Sequence, residues 1–249
     1  MGAEKIEMNS RELLCIGHRG AMGHAPENTI KSVHKALELG APCVEVDVQY
    51  VDGELIVFHD NRLDRTTNGT GYVLEQKFGY LRTLDAGEGE KIPTLHEVFQ
   101  AINRRAGVNI ELKGRGTARP VAEFISGMQE TDWNNDLILV SSFNHRELEL
   151  FRGLHPGVKI GALIGGLPVD DAAFAESLGA YSVHVSLDFI DKQFVDDAHS
   201  RGLRVFVFTV DHPADIRRMR ELGVDGVFTN YPERVLSDKE DRETTVGWH

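Results

Sequence analysis

Hydrophobic and polar positions along this chain fall into two alternating patterns. Short apolar runs rich in β-branched residues occupy Leu13–Gly17, Val44–Val48, Val108–Leu112, Leu137–Ser141, Val158–Leu163, Tyr181–Ser186, Leu203–Thr209 and Gly226–Thr229. Runs of this kind suit strands buried on both faces, as in a parallel sheet. Between them the apolar residues recur every three or four positions. That period predicts helices over Thr29–Leu39, Leu95–Arg105, Pro120–Gln129, His145–Leu154, Ala172–Leu178, Lys192–Ser200 and Ala214–Leu222. Gly40, Gly179, Gly202 and Gly223 follow four of these, where a left-handed residue closes a helix. Strict alternation with eight strands predicts an α/β fold, a parallel sheet with helices outside, and eight is the number that closes into a (β/α)8 TIM barrel. An open doubly wound sheet is the competing architecture, but no Gly-x-Gly-x-x-Gly turn follows any strand.

One segment breaks the alternation. After the second strand, Val51-Asp52-Gly53-Glu54 places Asp-Gly between two apolar runs, a two-residue hairpin signal. Pairing back along that ribbon brings His59 level with Val46 and Asp47. A polar, glycine-rich stretch from Asn61 to Lys91 follows, so an insertion of about residues 52–93 is expected to lie over the mouth of the barrel. The charged tail, about residues 237–249, is expected to be mobile, with Trp248 frayed rather than docked.

The 249 residues suffice for one such barrel as a single domain. A formal net charge of −12 argues against nucleic acid as a partner, because a polyanion needs a basic surface. It leaves room for a small anionic substrate neutralised locally by a metal ion or basic side chains. No apolar run is long enough to span a bilayer, and Met1 to Arg11 lacks the apolar core of a signal peptide, so integral membrane association is not expected and the cytoplasm is. Ile6 stands where myristoylation of Gly2 would want Ser or Thr. Cys15 and Cys43 both lie in strand-like runs and read as two buried thiols. Oligomeric state stays open, a homo-oligomer included.

The ionisable residues gather where strands end. Glu45 and Asp47 are two apart on a strand and project from one face. Glu111 and Lys113 repeat the arrangement on the third strand. Three carboxylates converging on a barrel mouth make an all-oxygen site for one divalent ion, Mg²⁺ or Ca²⁺, with Mn²⁺ a further candidate. The competing account is a set of salt bridges between Glu111 or Asp47 and Arg19 or Lys113. His18 and His59 form a titratable pair able to accept and donate a proton near neutral pH. His34, His145 and His199 fall on helices and read as solvated, and His184 on the sixth strand reads as structural. Arg19 and Lys113 supply fixed positive charge suited to a phosphate. Asp60 is placed to orient His59. Pro26-Glu27-Asn28-Thr29 reads as a local helix start that holds the His18 loop.

These pieces form an ordered set: His18-Arg19-Gly20 with Pro-Glu-Asn-Thr, Glu45-x-Asp47, Asp52-Gly53, His59-Asp60, Asp64-Arg65-Thr66-Thr67-x-Gly69, Ile92-Pro93-Thr94-Leu95 and Glu111-Leu112-Lys113. It continues through Ser141-Ser142-Phe143 and Gly223-Val224-Asp225-Gly226. The whole resembles the glycerophosphodiester phosphodiesterase family over nearly the full chain. The resemblance implies a (β/α)8 barrel and metal-dependent hydrolysis of glycerophosphodiesters to sn-glycerol 3-phosphate and an alcohol. It further implies His18 and His59 as the acid–base pair, Glu45, Asp47 and Glu111 as metal ligands, and Arg19 and Lys113 on the phosphate. Two departures stand out. The seventh strand runs Phe206-Val207-Phe208-Thr209-Val210-Asp211, where the family more often has tryptophan before the threonine and asparagine near the end. After the last strand, Asn230 stands where aspartate is common. Both are expected to alter the pocket wall or the alcohol preference and to leave the metal and the histidines untouched. Rival readings are a lysophospholipid or sphingolipid phosphodiesterase, an inactive phosphate-binding module, and a sugar-phosphate isomerase barrel. The isomerase would bind its phosphate near the last two strands, away from this charge cluster.

Overall fold

The computed structural model describes residues 12–128, 133–237 and 246–248. Eight parallel strands close on themselves: β1 (Leu14–Gly17), β2 (Cys43–Val51), β4 (Gly107–Leu112), β5 (Ile138–Ser142), β6 (Lys159–Ile164), β7 (Ser182–Ser186), β8 (Arg204–Phe208) and β9 (Gly226–Thr229). β1 pairs with both β9 and β2, which leaves the barrel no open edge. The outer helices are α1 (Ile30–Glu38), α3 (Leu95–Ile102), α4 (Ala118–Met128), α5 (His145–Leu154), α6 (Ala173–Ser177), α7 (Lys192–Ser200), α8 (Pro213–Leu222) and α9 (Pro232–Leu236). The end expected for α4 at Gln129 lies outside the described residues. Among the described residues no helix is long and apolar enough to cross a membrane.

Local chemistry sets these boundaries. Thr29 and Thr94 each start a helix with a reciprocal capping box, through Ser32 and Glu97 respectively. The glycines expected at helix ends, Gly40, Gly179, Gly202 and Gly223, all have φ between 60° and 83°. Asp52 and Gly53 turn with φ of 52° and 90°, and the ladder from Val51↔Glu54 to Val48↔Val57 forms the hairpin β2–β3 (β3, Glu54–Val57). One more backbone bond, Phe58 N–H to the Asp47 carbonyl at 2.9 Å, carries the ribbon back to the carboxylates.

The segment from Asn61 to Lys91 differs from a polar loop. It holds a short helix, α2 (Phe78–Leu81), and a small core of its own in which Leu63, Val73, Leu81, Leu84 and Ala86 pack against Ile56, Phe58 and Ile92. These apolar residues are spaced irregularly, so no period reveals them. It is tied to the hairpin turn, where Asp52 Oδ2 accepts from the Phe78 N–H at 3.1 Å.

The interior of the barrel is graded. Its mouth is polar, while Ile16, Cys43, Leu139, Phe206 and Phe228 fill the lower half. Trp248, expected to fray, is fully buried there, its ring 5.9 Å from that of Phe206. Its indole N–H donates to the Leu137 carbonyl, and Lys159 Nζ donates to its own carbonyl. A large apolar ring gains more by closing the open lower end of the barrel than it loses in ordering. Cys15 and Cys43 are buried free thiols, as expected. His34 is exposed, but His145 and His199 are half-buried and bonded, to the Leu163 carbonyl and to Asp225.

His184 is enclosed in the barrel, bonded to Ser182 Oγ at 2.9 Å and packed on the bare Cα of Gly161, where a Cβ would lie 2.4 Å from the ring. Burial lowers its pKa from 6.5 to about 3. The folded chain therefore refuses a proton that the unfolded chain takes up below 6.5, and stability falls as pH drops through that window. Replacing His184 with Leu should reduce the stability lost between pH 7 and pH 5 by about 2 kcal/mol, read from urea melts at both values. Equal losses in the two proteins would show that this imidazole does not titrate in that way.

Candidate active site

The seven candidate residues all sit at the C-terminal ends of β1, β2 and β4 or on the hairpin between them. His18 and Arg19 follow β1, Glu45 and Asp47 lie in β2, His59 follows β3, and Glu111 and Lys113 end β4. The parallel register sets Asp47 directly beside Glu111. Carboxylate oxygens of Glu45, Asp47 and Glu111 all lie within 4.8 Å of one another, and all three residues are buried.

Burial, followed by the charge of its carboxylate neighbours, pushes the Glu45 carboxyl well above its usual range and that of Glu111 up to about 7. Two cations answer part of this charge. Arg19 Nε lies 3.3 Å from Asp47, and Lys113 Nζ lies 2.8 Å from Glu111 and 3.7 Å from Asp47. Burial opposes the charge on both, but the carboxylates outweigh it and raise both pKa values. The salt bridges weighed against a metal site are therefore real. They do not complete the site, because Glu45 Oε1 is buried without a hydrogen-bond partner and Arg19 is shared with Glu27 at 2.6 Å. A hard divalent cation fits this set of three buried oxygen donors and the excess negative charge.

Arg19 is held in the left-handed region, φ 51°, at a cost of roughly 1–2 kcal/mol for a non-glycine residue. Three hydrogen bonds hold it there. Its N–H donates to Glu45 Oε2 at 2.8 Å, and its carbonyl accepts from Ser32 Oγ and the Asn28 N–H. Asn28, read as part of a local helix start, also grips Asp47 twice: Nδ2 donates to Oδ2 at 2.8 Å and Oδ1 accepts from the Asp47 N–H.

The two histidines have different partners. His18 Nδ1 lies 2.7 Å from Asn230 Oδ1. Burial, reinforced by the charge of Arg19, lowers its pKa from 6.5 to about 4, against the pull of Asn230, Asp47 and Asp211. His59 Nδ1 lies 2.6 Å from Asp60 Oδ1, the orienting contact the sequence suggested. Hydrogen bonds from Arg65 hold the Asp60 carboxyl well below the usual range, although burial opposes them. Arg65 also grips Glu27 with both Nη atoms at 2.7 Å. Arg19, Glu27, Arg65 and Asp60 thus form one ionic chain from the His18 loop to the His59 loop.

Sequence reasoning read Glu27 and Asn28 as holding the His18 loop, which their bonds to Arg19 do, but gave no part in the site to Arg65, Asp211 or Asn230. Each lay in or beside a quoted motif, and only the fold supplies their partners. The expectation that Asp211 and Asn230 leave the histidines untouched is overturned, because Asn230 bonds to His18 and Asp211 bonds to Asn230. Beside Lys113 the mouth turns aromatic. Exposed Phe143 meets Phe208 edge to face at 5.7 Å, and Lys113 Nζ lies 6.0 Å from the Phe143 ring.

The glycerophosphoryl diester phosphodiesterase family model matches residues 18–234, a span that includes every one of these groups. The chain belongs to that family. It is 38% identical over 235 residues to a glycerophosphodiester phosphodiesterase of Caldanaerobacter subterraneus subsp. tengcongensis, covering 90% of this chain and 96% of that one. Its fold is similar to that of an Oleispira antarctica phosphodiesterase solved in complex with the product sn-glycerol-3-phosphate, with a TM-score of 0.83, 34% identity, and coverage of 90% and 95%. A putative glycerophosphodiester phosphodiesterase of Galdieria sulphuraria matches with a TM-score of 0.83, 29% identity, and coverage of 92% and 98%. The chain is therefore an enzyme of the glycerophosphodiester phosphodiesterase class.

The carboxylate cluster makes a prediction without any substrate. In EDTA at pH 7.5, Glu45→Gln should melt higher than the wild type, because it removes a carboxyl whose ionised form burial and two neighbouring carboxylates disfavour. Added Mg²⁺ or Ca²⁺ should raise the wild-type melting temperature and leave the variant nearly unmoved. A melting temperature of the wild type indifferent to Mg²⁺, Ca²⁺ and Mn²⁺ would remove the metal site.

Proposed function

We propose that the chain hydrolyses glycerophosphodiesters to sn-glycerol 3-phosphate and an alcohol, with one divalent ion held by Glu45, Asp47 and Glu111. The observation that carries this reading is the crowding of three buried carboxylates beside Arg19 and Lys113, with one carboxylate oxygen unpartnered. A bound divalent ion would supply Lewis-acid stabilisation of negative charge on the phosphate oxygens. Arg19 and Lys113 add fixed positive charge at the same mouth, preorganised by their hold on the strand carboxylates.

The contrast between the histidines supports a division of labour. His18 is half-buried, neutral at pH 7 and bonded through Nδ1 to a neutral amide, so its Nε2 lone pair suits proton removal from the attacking hydroxyl. His59 is held through Nδ1 by the Asp60 carboxylate, which orients the ring and leaves Nε2 to serve as the donor to the leaving alkoxide. The attacking hydroxyl belongs either to water or to the glycerol 2-position, and a cyclic phosphate product distinguishes the second route.

The deciding assay is release of glycerol 3-phosphate from glycerophosphocholine and glycerophosphoethanolamine, first in EDTA and then with Mg²⁺, Ca²⁺ or Mn²⁺. Metal should restore release in the wild type and not in Glu45→Gln. His18→Ala and His59→Ala should each lower kcat by about 10²–10⁴-fold while the melting temperature stays near that of the wild type. Near-normal turnover in either variant removes that histidine from the chemistry. No release with any metal would favour the lipid substrates first and the binding module second.

A second reading draws on the aromatic side of the mouth. Phe143 is exposed there beside Lys113, and Phe189, in the loop after β7, is exposed as well. An apolar chain on the alcohol would find a surface at that wall, which favours a lysophospholipid as an additional substrate. Phe143→Ala should then raise KM for a lysophospholipid by roughly 10-fold and leave KM for glycerophosphoethanolamine within about 2-fold. Equal effects on both substrates would discard the lipid reading.

A further inference from the structure

Three residues on adjacent strand ends form a chain in which each donor and acceptor is forced by the next. Asp211 follows β8, Asn230 follows β9 and His18 follows β1. Asp211 Oδ2 accepts from Asn230 Nδ2 at 2.6 Å, while Oδ1 accepts from the Asn230 N–H at 2.8 Å and from Thr229 Oγ1 at 3.1 Å. The other end of the Asn230 amide, Oδ1, lies 2.7 Å from His18 Nδ1. The two ends of an amide have nearly the same shape, so chemistry alone decides which way it points. A carboxylate can only accept, so Nδ2 must face Asp211 and Oδ1 must face His18. An amide oxygen can also only accept, so His18 Nδ1 must carry the proton.

We infer that Asp211 is a positioning residue for His18, acting through the Asn230 amide to fix the Nδ1–H tautomer and leave Nε2 free as the proton acceptor. This inference rests on the reading of His18 as the general base. Asp211 and Asn230 work as a unit: an acceptor must face Nδ1, and a complementary donor must hold that acceptor from behind. Asp211→Asn leaves two amides facing each other, and nothing then prevents the Asn230 amide from turning Nδ2 toward His18. A donor facing Nδ1 drives the proton to Nε2, which removes the base. Asn230→Asp alone sets two carboxylates within hydrogen-bond distance. Exchanging both restores the pattern, with a carboxylate oxygen facing Nδ1–H and the new amide at 211 donating to it. These are also two of the three positions, with Phe208, at which the sequence departs from the family it resembles.

The test is a double-mutant cycle with glycerophosphoethanolamine and Mg²⁺, together with nitrogen NMR of the ¹⁵N-histidine-labelled, metal-free proteins. Asp211→Asn should lower kcat by on the order of 10–10²-fold with KM nearly unchanged, and the His18 resonances should shift toward the Nε2–H form. Asn230→Asp should also lose kcat. The double exchange should recover kcat to within about 3-fold of the wild type and restore the Nδ1–H signature. A merely structural role would move the melting temperature and KM and show no such rescue. The inference is overturned if Asp211→Asn keeps both wild-type kcat and the Nδ1–H tautomer, or if the double variant is no better than the poorer single one. Should the wild type show no turnover, the proposed function fails separately. The tautomer comparison between wild type and Asp211→Asn still decides what Asp211 does.

Discussion

Mutual repulsion among Glu45, Asp47 and Glu111 is the constraint around which the upper half of this barrel is organised. Ionised side chains crowded in a buried mouth would otherwise neutralise by taking up protons, and the upward shifts of Glu45 and Glu111 register that tension. The surrounding residues hold the carboxylates in place more than they relieve them. Asn28 fixes Asp47, the strained Arg19 backbone fixes one oxygen of Glu45, and Lys113 fixes Glu111. A site that spends local stability to keep charges close is preorganised for a ligand that brings the opposite charge.

Support for that arrangement comes from outside the barrel proper. The hairpin and the insertion beyond it form a second small core, which gives Arg65 a rigid base from which to reach both Glu27 and Asp60. Arg65 is half-exposed, so the energy of its ion pairs is modest, and its value lies in geometry. Through it the two histidine-bearing loops share one ionic chain although they belong to different strands. At the other end of the molecule Trp248 closes the lower barrel, so the polar mouth stands on an apolar floor.

Much of this was legible in the residues. Eight apolar runs and the helices between them gave the barrel, and the structure moves their limits by only one to three residues at most ends. The shared face of Glu45 and Asp47 follows from the two-residue period of a strand. The Asp-Gly turn set the hairpin register that brings His59 back. The insertion core was invisible because its apolar residues follow no period. Trp248 was misread because a lone aromatic in a charged tail carries no local sign of the hole it fills.

Local spacing determined the elements, the convergence of the carboxylates and the candidate chemistry, because dihedral preference and side-chain period act over a few residues. Tertiary structure alone decided the partners. Asn230 meets His18 across 212 positions of sequence, and Arg65 meets Glu27 across 38. Such pairs depend on which strands become neighbours when the barrel closes, and that closure is a property of the whole chain. The sequence thus named the two histidines and the carboxylate beside His59, while only the closed barrel gave His18 its amide.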